Sequence, residues 1–489
     1  MYKLMLTNDD GSEVIDLLHG PLRVYNWGWS PKFTSLRQRA VNLPFGYQTT
    51  SVGYGAVTET FSLSVEGCAD DIRDRVAQLE RFLEGAAAHM DDPLVENAHW
   101  LEWSSGGEEA KRSLVTGGAV SALSGVGHWP MLSDERLNLT LALTRHPLWE
   151  NATKTNISQD STWTIGGQWP INNIPGRVPA RLWQTIFSDD TGLYSGVDDF
   201  IQTIWAGFRP EYRGLTNFRA RWECESTAVG GDSGAVIGYL DAGQSLDAAD
   251  ATATNGQKCR TTFTDTVLQD RLFIDVYTVN GSAVLNSSHF AGRYLVLARC
   301  KIDDDTKAAH LQMRYGYKGS SILTSCDPVT VTNEKWLFRE LGTIQIPPIG
   351  LVPEGTYSDY DAQCAAFAIV LYSQNTSATW MDIDCLVLVP ADYFVKLEYA
   401  NVEDVAGDTN HRTIAAVLPD DRAVAYEDDA NTGGTYRVLS SVSMSPNQWY
   451  LPIGDSVLVL AAQEDDVQVL EDYLDLTIAY YPRWQSYRD

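Results

Sequence analysis

The chain has 489 residues, a length that fits about three domains and buries roughly 70–75% of its unfolded surface. Hydrophobic residues make up 44% and charged residues 20%, so the class is globular rather than disordered or fibrous. With 36 Lys and Arg against 64 Asp and Glu the net charge is −28, which repels phosphate backbones and argues against specific nucleic-acid binding.

No apolar run approaches the ~20 residues of a membrane span, so membrane insertion is not expected. Asp9 and Asp10 stand where a secretory signal would carry its apolar core, so export by that route is not expected either. The seven cysteines, at 68, 224, 259, 300, 326, 364 and 385, form no Cys-x-x-Cys pair. Several alternate with apolar neighbours, so they read as small buried hydrophobes of a reducing compartment rather than a disulfide framework.

The chain opens as a hairpin, Lys3 to Thr7 and Glu13 to Leu18, turned by Asn8-Asp9-Asp10-Gly11. A second strand pair follows over Gly46 to Glu66, with Phe61, Leu63 and Val65 alternating with Ser62, Ser64 and Glu66. Asp70 to Glu84 is then predicted as a helix: Ile72, Val76, Leu79 and Leu83 fall on one stripe. Asp70 and Asp71 suit its N-terminus and Gly85 its stop. Strands follow near Ala98 to Ser104, Lys111 to Leu123 and Leu137 to Thr144. From Asn151 to about Glu211 the stretch Ile165-Gly166-Gly167-Gln168-Trp169-Pro170-Ile171-Asn172-Asn173-Ile174-Pro175-Gly176 reads as loop chemistry.

Residues of about 215–398 read as an all-β unit. Its expected strands are Phe218–Ser226, Ala235–Tyr239, Arg271–Tyr277, Arg293–Ile302, Ala309–Tyr317, Trp336–Gln345, Ala365–Tyr372 and Met381–Val389, a number that fits a jelly roll. Toward the C-terminus Tyr436–Met444, Ser456–Ala462 and Leu474–Tyr481 read as strands, with Leu474, Leu476, Ile478 and Tyr480 on one face of the last. The fold class is therefore mainly β: a β-sandwich with one packed helix over 1–150, a loop-rich connection over 151–214, a jelly-roll β-sandwich over 215–398 and a C-terminal β-domain over 399–489.

Gly231-Asp232-Ser233-Gly234 copies the surroundings of a chymotrypsin-like serine nucleophile, and His89 lies upstream in Ala86-Ala87-Ala88-His89. A triad needs the base within hydrogen-bond reach of the serine, yet His89 follows the helix of one unit and Ser233 sits in a Gly-rich turn of another. A plain turn is the reading, and no enzyme is expected. His19, His99, His128, His146, His289, His310 and His411 show no ligand spacing. The acid groups Asp303-Asp304-Asp305, Asp420-Asp421 and Asp428-Asp429 read as solvated loops. For carbohydrate binding, which needs aromatic faces beside polar groups, Trp380, Tyr315 and Tyr317 are the candidates, while Trp336 reads as core.

The stretches Gly292–Arg299, Trp336–Pro347 and Met381–Pro390 make the 215–398 unit resemble a galactose-binding-type jelly roll, the fold of many carbohydrate-binding modules. Jelly rolls of this kind often hold a structural calcium between an acid near the first strand and an Asp near the last. Glu223, Glu225, Asp382 and Asp384 stand in matching places, and hard oxygen ligands suit calcium.

The opening hairpin, the strand–helix join Phe61–Leu83, the strand Leu137–Thr144 running into Arg145-His146-Pro147-Leu148-Trp149, and the ending Ile478–Trp484 resemble the distal tail proteins of long-tailed bacteriophages. Those pair an N-terminal β-sandwich carrying one helix with a later β-domain, and some carry inserted carbohydrate-binding modules. The resemblance implies a baseplate component of the virion, assembled in the host cytoplasm. Its partners would be copies of itself in a ring, other tail proteins (tube, hub, tape-measure, fibre) and a host-surface glycan, with DNA passing through an acidic channel. Two alternatives are a tail-tube or other virion subunit whose jelly roll binds nothing, and a carbohydrate-active enzyme with a binding module.

Overall fold

The computed structural model describes residues 2–27, 36–43, 46–91, 97–122, 136–159, 167–189, 201–210, 220–224, 244–250, 252–253, 256–263, 269–275, 278–279, 282–283, 292–317, 324–346, 367–398, 412–417, 424–429, 435–438, 442–443, 449–464 and 474–484. Among them the chain is mainly β, with one helix and several sheets. Expectations at Ala235–Tyr239, Gly231-Asp232-Ser233-Gly234, Glu225, His128, His289, His411, Cys364 and Asp420-Asp421 lie outside the described residues.

The first unit runs β1 (Lys3–Asn8), β2 (Val14–Asp16), β3 (Leu22–Trp27), β4 (Leu36–Leu43), β5 (Gly46–Tyr54), β6 (Val57–Glu66), α1 (Ala69–Asp91), β7 (His99–Ser104), β8 (Lys111–Ala122), β9 (Arg136–Arg145) and β10 (Trp149–Asn151). β4 and β5 form a hairpin of their own. Strand β8 joins two sheets. Lys111–Leu114 pairs with β7, Val115–Ala122 pairs with β9, and a register shift between Val115 and Gly117 turns the strand from one sheet to the other. Leu4, Leu6 and Leu101 from one layer meet Phe61, Leu63, Leu139 and Leu141 from the other, and α1 closes this core with Ile72, Val76, Leu79, Phe82 and Leu83.

The helix begins as expected: Asp71 accepts the backbone N–H of Cys68, the carboxylate half of a capping box. It does not stop at Gly85. It runs on to Asp91, because Ala86-Ala87-Ala88 favours helix and Gly85 is a packing position: a Cβ there would fall 2.6 Å from the His99 ring.

The second unit opens with β11 (Thr155–Gln159), β12 (Gly167–Ile174), β13 (Val178–Asp189) and β14 (Ile201–Pro210), so the stretch expected as loop is largely strand. The misreading has a physical cause. β12 is the edge of its sheet, where Trp169 and Ile171 turn inward while Pro170 and Asn172 face solvent. An edge strand accommodates a proline that an interior strand does not.

The third unit carries β15 (Arg221–Glu223), β16 (Gln244–Ala249), β17 (Gln257–Thr262), β18 (Gln269–Asp275), β19 (Thr278–Val279), β20 (Ser282–Ala283), β21 (Gly292–Ile302), β22 (Ala309–Tyr317), β23 (Thr324–Ser325), β24 (Val329–Val331), β25 (Leu337–Ile346), β26 (Phe367–Asn375) and β27 (Trp380–Pro390). Two sheets, β16-β17-β27-β21-β25 and β18-β26-β22-β23, with β24 also on β22, face one core containing Leu297, Ile383, Leu311, Met313, Ile369 and Leu371. Counted from β17 through β18, β21, β22, β24, β25 and β26 to β27, the pairings run 1-8-3-6 and 2-7-4-5, the order of a jelly roll. Its first strand is β17, which the sequence reading missed. The stretch Phe218–Ser226 instead supplies β15, an added strand on β27.

The chain then returns through β28 (Tyr393–Glu398), β29 (Arg412–Val417), β30 (Val424–Asp429), β31 (Thr435–Val438), β32 (Val442–Ser443), β33 (Tyr450–Leu451), β34 (Gly454–Glu464) and β35 (Leu474–Trp484). β29 to β31 form a separate meander. β35 lies between β10 and β13, with Glu150 opposite Arg483. The β12-β34-β14-β28-β32 sheet is a shared layer. Ile204, Ala206, Phe208, Leu458 and Leu460 pack toward Ile478 and Tyr480 of β35. Trp205, Val457, Val459 and Ala461 join the jelly-roll core. Strand alternation, applied twice, binds the second unit to both neighbours.

Candidate functional site

Three of the residues singled out in the sequence meet on one face of the jelly roll. In β27, Met381, Ile383 and Cys385 belong to the core, and the alternation sends Trp380, Asp382 and Asp384 to the opposite face. β17 brings Lys258 and Arg260 beside them, and β21 brings Arg299 and Lys301.

The result is a strip of cross-strand ion pairs. Arg260 grips Asp382 with two hydrogen bonds, Nε to Oδ1 at 2.7 Å and Nη2 to Oδ2 at 2.8 Å. Lys258 Nζ stands 2.6 Å from Asp382 and 2.6 Å from Asp250. Lys301 reaches Asp250 at 2.9 Å, and Arg299 reaches Asp384 at 2.5 Å. Asp382 and Asp384 are fully buried, and charges this deep persist only when paired. Burial works to raise the Asp250 carboxyl, but hydrogen bonds from Lys258, Thr252 and Lys301 hold it well below the usual carboxylate range.

Two indoles frame the strip. The Arg260 guanidinium lies 3.9 Å from the Trp380 ring centroid and Lys301 Nζ lies 4.3 Å from that of Trp336. Trp336 donates Nε1–H to Thr252 and is buried on this charged face, against Lys301 and Arg299 rather than among the side chains of the jelly-roll core. Trp380 is half-buried, with one ring face covered by Arg260. Asp303 continues the strip toward solvent. It pairs with Lys307 at 2.6 Å and accepts the Thr379 backbone N–H. These bonds outweigh burial and leave its carboxyl at about 2. Asp304 caps its own turn by accepting Thr306 N–H.

The calcium expectation is placed as follows. Asp382 and Asp384 are held by organic cations, Glu223 pairs its backbone with Cys385, and Glu225 lies outside the described residues. Among the described residues no three His, Cys, Asp or Glu come together as a metal-holding group. Tyr315 packs partly against the core, and burial raises its phenol; Tyr317 pairs its backbone with Phe367. His89 is buried on α1, remote in the chain from Ser233, which lies outside the described residues.

The sequence reading missed Asp250, Lys258, Arg260, Arg299 and Lys301. A signal was there: Arg299 and Lys301 are spaced by two in an otherwise apolar strand, as are Asp382 and Asp384. That is the pattern of opposed charges on adjacent strands.

A second charged cluster sits where β35 is inserted. Glu150 is buried and held by Arg181, at 2.7 and 2.5 Å, and by Arg112 at 3.3 Å. Burial raises its carboxyl, but these arginines bring it below the ordinary value. The Arg112 guanidinium stacks 3.9 Å from the Trp100 centroid and 4.7 Å from that of Tyr481, and Arg181 lies 4.7 Å from Tyr481. Nearby, Arg145 and Glu59 form a buried pair. At the jelly-roll joint, Glu340 accepts from Trp205 Nε1 at 2.9 Å and pairs with Lys396 at 2.6 Å.

No protein-family model matches this chain, and no curated protein matches it in sequence. Among solved structures, a chain of the phage P2 baseplate in its activated conformation with calcium aligns at 10% identity over 98% of each chain, with a TM-score of 0.25. The SPP1 Dit (gp 19.1) protein, described as a paradigm of the hub adsorption apparatus in phages infecting Gram-positive hosts, aligns at 10% identity over 98% of each chain, with a TM-score of 0.26. Scores of that size do not establish a shared fold.

Proposed function

We propose that this chain is a structural subunit of a bacteriophage tail baseplate, assembling with copies of itself into a ring and with other tail proteins in the virion. Its jelly roll is the part that meets the host-surface glycan. The observation that carries the reading is the return of β35 between β10 and β13. It encloses the jelly roll in the middle of the chain and fuses an N-terminal, helix-bearing sandwich to a later β-unit. This is the arrangement implied by the residues that resemble distal tail proteins.

The pairing of buried charges suits a structural part. The described charged groups of the two clusters are spent on neighbours: Glu150 on Arg181 and Arg112, Asp382 on Arg260 and Lys258. Both clusters stitch strands that are distant in sequence. A net charge of −28 keeps DNA from adhering to a channel wall. Ring closure requires complementary edges on each subunit. Negative-stain electron microscopy and native mass measurement of the purified full chain are expected to show closed rings. A monomer at tens of micromolar, with no rings, would count against the reading.

A further inference from the structure

We infer that Lys258 and Asp382 join in an intramolecular amide, a covalent staple that the folded chain forms by itself between β17 and β27, the first and last strands of the jelly roll. The inference stands on the ion-paired strip alone and does not depend on the tail reading.

The reacting groups are already in contact. β17 and β27 run antiparallel, with Arg260 opposite Asp382 and Cys259 opposite Ile383. Lys258 shares a face with Arg260, and its Nζ stands 2.6 Å from Asp382 Oδ2 and 2.6 Å from Asp250 Oδ2. The ion-paired geometry is that of the reactants.

Condensation expels water, so it favours a site that holds little of it. Lys258 and Asp382 are both buried, and the Trp336 and Trp380 ring centroids lie 6.0 and 5.8 Å from Nζ. The pairs Lys307–Asp303 and Lys396–Glu340 are equally short but partly open to solvent, where water competes for both partners.

Each neighbour has a part in the reaction. Arg260 and Lys301 crowd the ammonium through the carboxylates they share with it, and nearby positive charge favours the neutral amine that a nucleophile needs. One proton passes from Nζ to Asp382 Oδ2, leaving an amine beside a carboxylic acid. The Nζ lone pair then attacks Cγ. The oxyanion that forms on Oδ1 is stabilised by the Nε–H of Arg260, 2.7 Å away. A second proton travels through Asp250 to Oδ2, whose bond to Cγ breaks as it departs as water. The third proton stays on the amide nitrogen. Reactants held on adjacent strands make the step intramolecular. The bond closes a loop that contains strands β18 to β26, which restrains the unfolded chain and carries tension between the two ends of the unit without loading the strands between them.

The test is intact-mass spectrometry of the purified full chain, reduced and denatured. The wild type is expected to be lighter than its sequence mass by one water, about 18 Da. Tryptic digestion is expected to release one pair of peptides joined through Lys258 and Asp382. Lys258→Arg, which keeps the charge and offers no primary amine, is expected to show its full sequence mass. Asp250→Asn, checked for folding by thermal melting, is expected to leave part of the chain unjoined; complete joining in that variant removes Asp250 from the proton path. A wild-type chain at its full sequence mass, a loss of water that persists in Lys258→Arg, or a join through a different lysine overturns the inference.

Discussion

The backbone carbonyl of Pro390 occupies the place where a side chain on Gly207 would stand: a Cβ there would lie 2.1 Å from that oxygen. Gly207 is in β14 of the shared layer and Pro390 ends β27 of the jelly roll, so their contact sets how closely the two units dock. Backbone meeting backbone leaves little room to relax. Gly207→Ala is expected to cost about 1–3 kcal/mol or more, and to expose the docked face, including Trp205. A lower denaturation midpoint with a changed tryptophan emission would show it; an unshifted midpoint would mean the layers slide freely.

Asp382 is expected to matter through its cations. Asp382→Asn removes the carboxylate that answers Arg260 and Lys258, and breaking a buried pair from one side typically costs about 3–5 kcal/mol. Because ammonium and guanidinium groups occupy both Asp382 and Asp384, a chelator is expected to leave the melting temperature of the wild-type chain unchanged. A melting temperature that rises with added calcium would instead restore Glu223 and Glu225, with these aspartates, as the candidate ligand set.

Acid should loosen the jelly roll in a defined window. The Asp303 carboxyl sits at about 2 in the folded chain, where hydrogen bonds from Lys307 and Thr379 outweigh burial, and Asp250 is held lower still. A carboxyl lowered by folding stabilises fully above its unfolded value near 4, and that contribution disappears as pH falls through its folded value. Glu102 and Asp392, raised by burial, oppose this. Denaturant midpoints between pH 5 and pH 2 are expected to fall, with a shallower fall in Asp303→Asn. Equal slopes would remove Asp303 from the account.

Much of this architecture was legible where one strand or helix alone decides its pattern. The stripe Ile72, Val76, Leu79 and Leu83 gave α1, and the apolar runs of β21, β22 and β27 gave three jelly-roll strands within a residue or two of their observed bounds. What failed depended on partners far away in the chain. Pro170 and Asn172 look like loop until β12 is known to be an edge. The cationic partners of Asp382 and Asp384 likewise come from β17 and β21, far away in the chain. The insertion of β35 between β10 and β13 has no local signature, since Glu150 and Arg483 meet only in the folded sheet.

Gly85 offers a contest between two effects of opposite sign. In a helix interior, replacing glycine by alanine gains roughly 1 kcal/mol from propensity, so Gly85→Ala on an isolated helix would stabilise it. Here the added methyl meets the His99 ring at 2.6 Å. That ring cannot easily yield: Nδ1 stands 2.8 Å from the Asn97 carbonyl, Glu13 approaches the other nitrogen at 3.5 Å, and Phe82 packs edge-on at 4.8 Å. Overpacking of this kind costs about 1–3 kcal/mol, so the net effect is expected to be destabilising by roughly 1 kcal/mol. The double variant Gly85→Ala with His99→Ala tests the cause: with the ring gone, the alanine should stabilise relative to His99→Ala alone. A single Gly85→Ala chain that melts above the wild type would show that the imidazole yields, and that the helix passes Gly85 for propensity alone.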